Sequence, residues 1–412
     1  MKTGQALILL LVICVSSVWG RHERDRERGR ERYRYFRDLE PREPREEYRS
    51  EGGSIESWAE DYEALKNANL GAARITLNPR SLALPYYGDV DFVKFITRGS
   101  GRLGIIPPFG DRAIQHNVYK LKRGDVVAIP KGTPTWLYND GDEEMEIVTV
   151  ADTSTATQPG RFGTFLLAGG KDKGPGSVLQ GFSEEILAKA WNVEKDTVSE
   201  LLESQNGTVF IKVLEGIEFP DSSDDYNGYF KEFIYHLHAA DPDVKVRDGG
   251  ELRLVTSDKF PVLRIVHLGL SCTKLRPKAL FAPSWSHNAH EVIYVVNGSA
   301  RIQIVGYNGE QALDTRVREG SLVVIPRFFP ATKLAGNDGF AYVSFHSNER
   351  PINSFLAGRN SVYKGIPEQV VARAFNIDDK FEKDIRERRK DEAIIFPPSS
   401  KSGRYDPLIQ IY

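Results

Sequence analysis

The chain carries the same string of parts twice, and this repeat constrains its fold more than any other feature. YKLKRGDVVAIPKGTP (Tyr119 to Pro134) is matched by TRVREGSLVVIPRFFP (Thr315 to Pro330), with Gly124 and Pro130 opposite Gly320 and Pro326. Each reads as one strand that enters after a glycine turn and stops at a proline. Upstream, FVKFITRGSGRL and EVIYVVNGSARI are apolar runs that reach Gly99 and Gly298. Downstream, FLLAGG matches FLAGR, and SVLQGFSEEILAKAWNV matches SVYKGIPEQVVARAFNI. Parts in the same order twice imply two copies of one folding unit.

Within each copy, short alternating or β-branched segments are punctuated by Gly, Pro and Asn-Asp-Gly turns, the pattern of a closed sandwich or barrel. Each copy then turns helical. Ser183-Glu184-Glu185 starts one helix, whose stripe is Ile186, Leu187, Ala190 and Trp191; Pro367 starts its counterpart, with Val370, Val371, Ala374 and Phe375. A further helix from Glu194 to about Ser204 carries Val198, Leu201 and Leu202. Nothing obvious within its own copy covers these stripes, which points to a subunit or inter-domain contact.

The ends and the middle differ in composition. Met1-Lys2, the apolar run Ala6 to Val18 and the small residue Gly20 describe a secretory signal peptide over 1–20. Residues 21–53 alternate Arg with Glu and Asp and have little to bury, so a mobile, charged arm is expected there. Residues 54–217 and 251–398 hold the two copies, 218–250 read as an exposed linker, and 399–412 as a tail with an apolar end. No other run is long enough to cross a bilayer, so no membrane contact is expected after signal removal. The 55 Lys and Arg against 57 Asp and Glu give a formal net charge of -2, which removes the electrostatic reason to expect nucleic acid.

Few residues suggest chemistry. The eight His include one cluster, His287, His290 and Glu291, with His346 on a neighbouring segment; imidazoles and a carboxylate are ligands for Zn, Cu, Mn or Fe. On a regular strand His287 and Glu291 share a face and His290 points away, an awkward spacing for one centre. In the first copy the matching place has no His and offers Tyr86, Tyr87, Asp89 and Asp91, which suit packing or sugar stacking better than acid–base work. Cys272 lies on an apolar strand without a local His and reads as a small buried hydrophobe. No phosphate-loop, dinucleotide, zincin or serine-hydrolase motif occurs. Asn206-Gly207-Thr208 and Asn297-Gly298-Ser299 are candidate glycosylation sites.

At these residues the chain resembles a bicupin of the plant seed storage globulins, the vicilin and legumin group, from about Gly71 to Pro398. The carriers are RGDVVAIPKGTPTWLYNDGDEE and REGSLVVIPRFFPA, FLLAGG and FLAGRNSV, and the two helix starts GFSEEILAKAWNV and GIPEQVVARAFNI. The resemblance implies a mainly β fold of two cupin jelly-roll barrels, each followed by a helical arm that joins subunits into a homotrimer. It implies a nutrient reservoir with no catalytic residue and no cofactor, carried by the secretory pathway to the storage vacuole, or else extracellular, and cut by processing proteases. Metal-binding cupins carry two His and a Glu before the first Gly and a His after the Pro of the second motif. Here only Glu291 matches, with Ser284, Ser286 and Ala331 at the other places, and Pro85, Tyr87, Phe92 and Thr135 in the first copy. No metal is therefore expected, and His287, His290, Glu291 and His346 are the residues that would build a different centre. The linker has Asp248-Gly249-Gly250 in place of the Asn-Gly cut of legumins, and without Cys14 only Cys272 remains. Both features point to an uncleaved, vicilin-like polypeptide. Two other readings are a metal-dependent cupin enzyme at Glu291 and a small-ligand binder, of sugar or hormone, at the barrel mouths.

Overall fold

Gly99 and Gly298, aligned by the repeat, both adopt the left-handed backbone, with φ of 73° and 78°. A side chain at either position would collide with the carbonyl facing it, Glu144 O or Gly339 O, so each marks an obligatory glycine bend in its barrel. The computed structural model describes residues 36, 38–58, 62–107, 117–158, 161–170, 175–221, 233–239 and 241–398. The expected leader, the first part of the charged arm, residues 222–232 of the linker and the tail after 398 lie outside the described residues.

The first half supplies β1 (Arg45–Ser50), β2 (Gly53–Ser57), β3 (Leu70–Leu77), β4 (Ser81–Gly88), β5 (Asp91–Arg98), β6 (Ser100–Ile105), β7 (Asn117–Lys122), β8 (Asp125–Ile129), β9 (Thr135–Asn139), β10 (Met145–Asp152), β11 (Thr164–Leu166), β12 (Phe210–Lys212) and β13 (Ile234–His236). They form two sheets, β1-β2-β3-β10-β5-β8-β13 and β11-β4-β9-β6-β7, with β12 added on β4. The second half supplies β14 (Val244–Val246), β15 (Gly250–Val255), β16 (Gly269–Leu275), β17 (Leu280–Ser286), β18 (Glu291–Val305), β19 (Gln311–Arg318), β20 (Leu322–Ile325), β21 (Ala331–His346), β22 (Asn353–Phe355) and β23 (Ile395–Phe396). Here β18 and β21 are long enough to run through both faces, and they pair from Glu291–His346 at one end to Ile304–Ala331 at the other. Every ladder is antiparallel, and the architecture is the expected pair of mainly β jelly-roll barrels.

The helices are α1 (Glu63–Asn67), α2 (Glu184–Trp191), α3 (Lys195–Glu203), α4 (Leu263–Val266), α5 (Val362–Gly365), α6 (Glu368–Phe375) and α7 (Asp379–Glu387). The repeat extends to their ends. Asn192 after α2 and Asn376 after α6 are both left-handed, with φ of 56° and 52°, a conformation Asn tolerates and which stops a helix. At the start of α2 the Ser183 hydroxyl accepts the Ile186 N–H at 3.4 Å. The stripes of α2, α3 and α6 are covered only in part: Leu187, Val198 and Val371 are buried, whereas Ile186, Leu201, Val370 and Phe375 are all more than half exposed.

Two expectations about disorder are corrected. The arm was read as mobile over 21–53, yet β1 lies within it and pairs with β2. Its composition misleads because an edge strand is held by its backbone ladder and needs few apolar side chains. Leu39 is buried, Arg42 bridges to Leu322 of the second barrel, and the Trp58 indole donates to Arg42 O at 2.8 Å. The linker also re-enters the fold. Phe233, Ile234 and Leu237 are buried, and β13 joins β8. The two barrels share one continuous core, with α4 against β5 and β8 and the rings of Trp58 and Tyr294 6.1 Å apart.

Candidate functional site

Glu291 opens β18 directly opposite His346 of β21, so two of the four candidate ligands meet inside the second barrel. Both Glu291 oxygens, however, are taken by the Lys333 ammonium, at 3.2 and 3.1 Å, and the Ser344 hydroxyl donates to Oε1 at 2.6 Å. Burial alone would push the Glu291 carboxyl up, but Lys333, His346 and Ser344 outweigh it and hold the group below the ordinary carboxylate range. His346 is pushed down by burial, partly offset by the Glu291 carboxylate. Its Nε2 lies 3.0 Å from the Ser271 hydroxyl, and its Nδ1 is buried without a hydrogen-bond partner among the described residues. Phe281 and Tyr342 lie 4.9 and 5.6 Å from the Lys333 ammonium, and a cavity of about 220 Å³ opens beside the pair.

The other two candidates stay outside this group. His287 is exposed, with Nε2 2.7 Å from the Ser354 hydroxyl. His290 faces away from the cavity, 5.5 Å from the Phe36 ring, and its Nδ1 accepts the Arg327 N–H. Burial first, and the Arg327 charge second, bring its pKa down to about 4. This donor set does not fit a divalent metal: the one carboxylate at a ligand position is saturated by a fixed cation, and Ser284, Ser286 and Ala331, which stand at the other three ligand positions, offer two hydroxyls and a methyl to the cavity.

Strand pairing corrects the correspondence read for the first barrel. Ser284 opposes Ala331 and Phe355, and Tyr86 opposes Thr135 and Leu166 in the same way. Tyr86 and Gly88, not Pro85 and Tyr87, therefore occupy the two inward positions, because the turn before Phe92 is one residue shorter than the turn before Glu291. Phe92 faces inward where Glu291 does and packs where a Gly88 side chain would stand. Tyr87 stacks on Phe165 with centroids 5.0 Å apart, on the opposite face, so the Tyr86–Tyr87 pair forms no joint platform. Asp89 and Asp91 tie loops: Asp89 accepts the N–H groups of Thr157 and Gly163, and Asp91 accepts that of Lys131. Burial pushes the Cys272 thiol up, which leaves it inert at neutral pH.

Sequence reasoning missed Lys333 and Ser344. A lysine alternating with apolar residues in ATKLAG was the available signal, since its parity puts it on the inward face.

The family model described as Cupin matches residues 39–199 and 236–383, most of both barrels. The chain belongs to the cupin family. This cupin is 27% identical to 11S globulin seed storage protein 2 of Sesamum indicum, over 89% of its own length and 92% of that protein's. The crystal structure of the coconut allergen cocosin superposes with a TM-score of 0.81 at 28% identity, covering 88% of this chain and 99% of that one. The vicilin of Solanum lycopersicum shares the fold at a TM-score of 0.74 and 21% identity, over 87% of this chain and 98% of that one. The cupin is thus a seed storage globulin of two barrels whose similarity points to the 11S globulins rather than, as the missing Asn-Gly cut suggested, to the vicilins.

Proposed function

We propose that this cupin is a nutrient reservoir: a non-catalytic storage globulin laid down during seed maturation and degraded at germination. The observation that carries this reading is likeness to 11S storage globulins along nearly nine-tenths of the chain. The second barrel's interior supports it, because Lys333 occupies the carboxylate that a metal enzyme of this fold would use. The chain is expected to form at least a major fraction of total seed protein at maturity and to fall, with fragments appearing, after germination begins. Quantitative proteomics across both stages tests this, and a trace level that stays constant would reject storage.

The exposed apolar side chains of α2, α3 and α6, Ile186, Leu201, Val370 and Phe375 among them, support assembly into a homotrimer through the helical arms. Entry into the secretory pathway and deposition in a storage vacuole follow from the same reading, with proteases as the agents of later breakdown. Asn206 and Asn297 are both exposed and stand as glycan sites. The Thr208 hydroxyl is already buried on Pro175 O, at 2.7 Å, so sugar must reach Asn206 before the loop folds. Protein from the native tissue is expected to lose mass on treatment with an N-glycosidase, in two steps assigned by Asn206→Gln and Asn297→Gln. An unchanged mass would exclude both sites.

A further inference from the structure

The α2–α3 hairpin leaves the first barrel between β11 and β12, both of which pair with β4. Its neck is tied where the Gly170 N–H donates to Gly207 O at 2.8 Å. The backbones touch there: a Cβ on Gly170 would stand 2.3 Å from Gln205 O, and one on Gly207 2.4 Å from Ile211 Cγ2. Val209 is the strained point of the neck. Its φ of 61° is left-handed, which a β-branched side chain resists, and the Phe210 N–H donates back across it to Thr208 O at 2.7 Å. Such strain persists only where the surroundings impose it. Here β1 imposes it. The Tyr48 hydroxyl donates to Thr208 O and the Ser50 hydroxyl to Phe210 O at 3.1 Å, so the residues on either side of Val209 are held from one strand. The Tyr48 ring also lies 6.0 Å from that of Phe210.

The second barrel has the same neck without these features. There the Arg359 N–H donates to Glu392 O as that of Gly170 does to Gly207 O. Ile394 O accepts the Ala282 N–H as Val209 O accepts that of Leu84, which sets Ile394 at the place of Val209. Ile394 is not left-handed. The strand that matches β1 is β14, where Val244 and Val246 stand at the places of Tyr48 and Ser50 and carry no hydroxyl. Strain and hydroxyls thus occur together in one copy, and the other has neither. β1 is also easily detached: it is the edge of its sheet, paired only with β2, and Arg45, Glu46, Glu47 and Arg49 are exposed. We propose that β1 is a releasable strap on the first helical arm. Its two hydroxyls hold the neck in the strained form in which α2 and α3 meet the neighbouring subunit. Loss of β1, by a cut at its exposed arginines, lets Val209 relax and loosens that contact, so breakdown of the reserve starts by opening the assembly. The proposal rests on the reading of the helical arms as the subunit contact.

The test is the double variant Tyr48→Phe, Ser50→Ala of the full-length protein, which removes two oxygens and leaves β1 in place. Amide hydrogen exchange over residues 205–212 is expected to speed up about tenfold, from the loss of two hydrogen bonds of modest net worth, while residues 392–396 of the second neck stay unchanged. Sedimentation across a dilution series is expected to show the subunit dissociation constant raised by about tenfold. Unchanged exchange over 205–212, or equal acceleration in both necks, would refute the strap. Faster exchange with an unchanged dissociation constant would refute its link to assembly. A wild-type protein that is monomeric at every concentration would reject the helical arms as the subunit contact, and exchange over 205–212 would still decide the strap. The Ser50 hydroxyl also accepts the Gly52 N–H at 3.2 Å, so Tyr48→Phe alone is read in the same way and decides should the double variant not fold.

Discussion

Replacing Lys333 by Met is expected to destabilise the protein by about 3–5 kcal/mol, because it leaves the Glu291 carboxylate buried with no counter-charge. Urea unfolding measures this, and the double variant Glu291→Gln, Lys333→Met is expected to recover most of the loss, since a neutral amide facing a thioether carries no stranded charge. A double variant as weak as the single one would show that Lys333 acts through packing on Phe281 and Tyr342 rather than through charge. The pH dependence follows from the same groups. Glu291 has a folded pKa below its unfolded value, so its contribution is complete above the unfolded pKa and disappears as pH falls through the folded one. His290 and His346 are also depressed in the folded state, so the unfolded chain binds their protons first. Stability is therefore expected to fall as pH drops below 6.5, the ordinary His value, with the His290 part spread down to about 4. His290→Gln should flatten the curve in that window.

The second large effect is on assembly. Introducing Glu at both Ile186 and Val370 is expected to turn the proposed trimer into monomers, with the sedimenting mass falling threefold while circular dichroism stays native. Each side chain is more than half exposed in the single chain, so neither substitution disturbs the core of the subunit. If each contributes about 2 kcal/mol at the contact, losing two weakens every interface roughly a thousandfold. An unchanged mass would place the subunit contact elsewhere on the surface. The repeat gives this arrangement its economy: α2 and α6 present similar stripes from opposite ends of the chain, which suits a head-to-tail contact closing into a ring.

The architecture was readable because glycines, prolines and helix ends recur at matched places, and each recurrence is a backbone requirement rather than a preference. Gly99 with Gly298, and Asn192 with Asn376, are such pairs. The interior was less readable, for two physical reasons. Counting back from Gly99 places Phe92 correctly, but the shorter turn before it shifts every earlier residue by one, and only strand pairing reveals that Tyr86 and Gly88 face inward. Charged residues were also judged by composition, which assigns lysine to solvent, whereas Lys94 and Lys333 sit on the inward parity of apolar strands. Residues 38–53 failed in the opposite direction: charge suggested mobility, but backbone pairing and the anchor at Leu39 decided the outcome.

That anchor bears on how the molecule comes apart. Leu39 to Trp58 leads into the first barrel while touching the second at Leu322 and Tyr294, and Tyr62 follows with its hydroxyl between Leu39 O and Val324 N. The halves are consequently buckled together at a point far in sequence from the segment that joins them. A nick between the barrels would raise the number of chains without raising the number of bodies, and the two pieces would still sediment as one. Digestion that opens the reserve has to release this buckle as well as cut the joint.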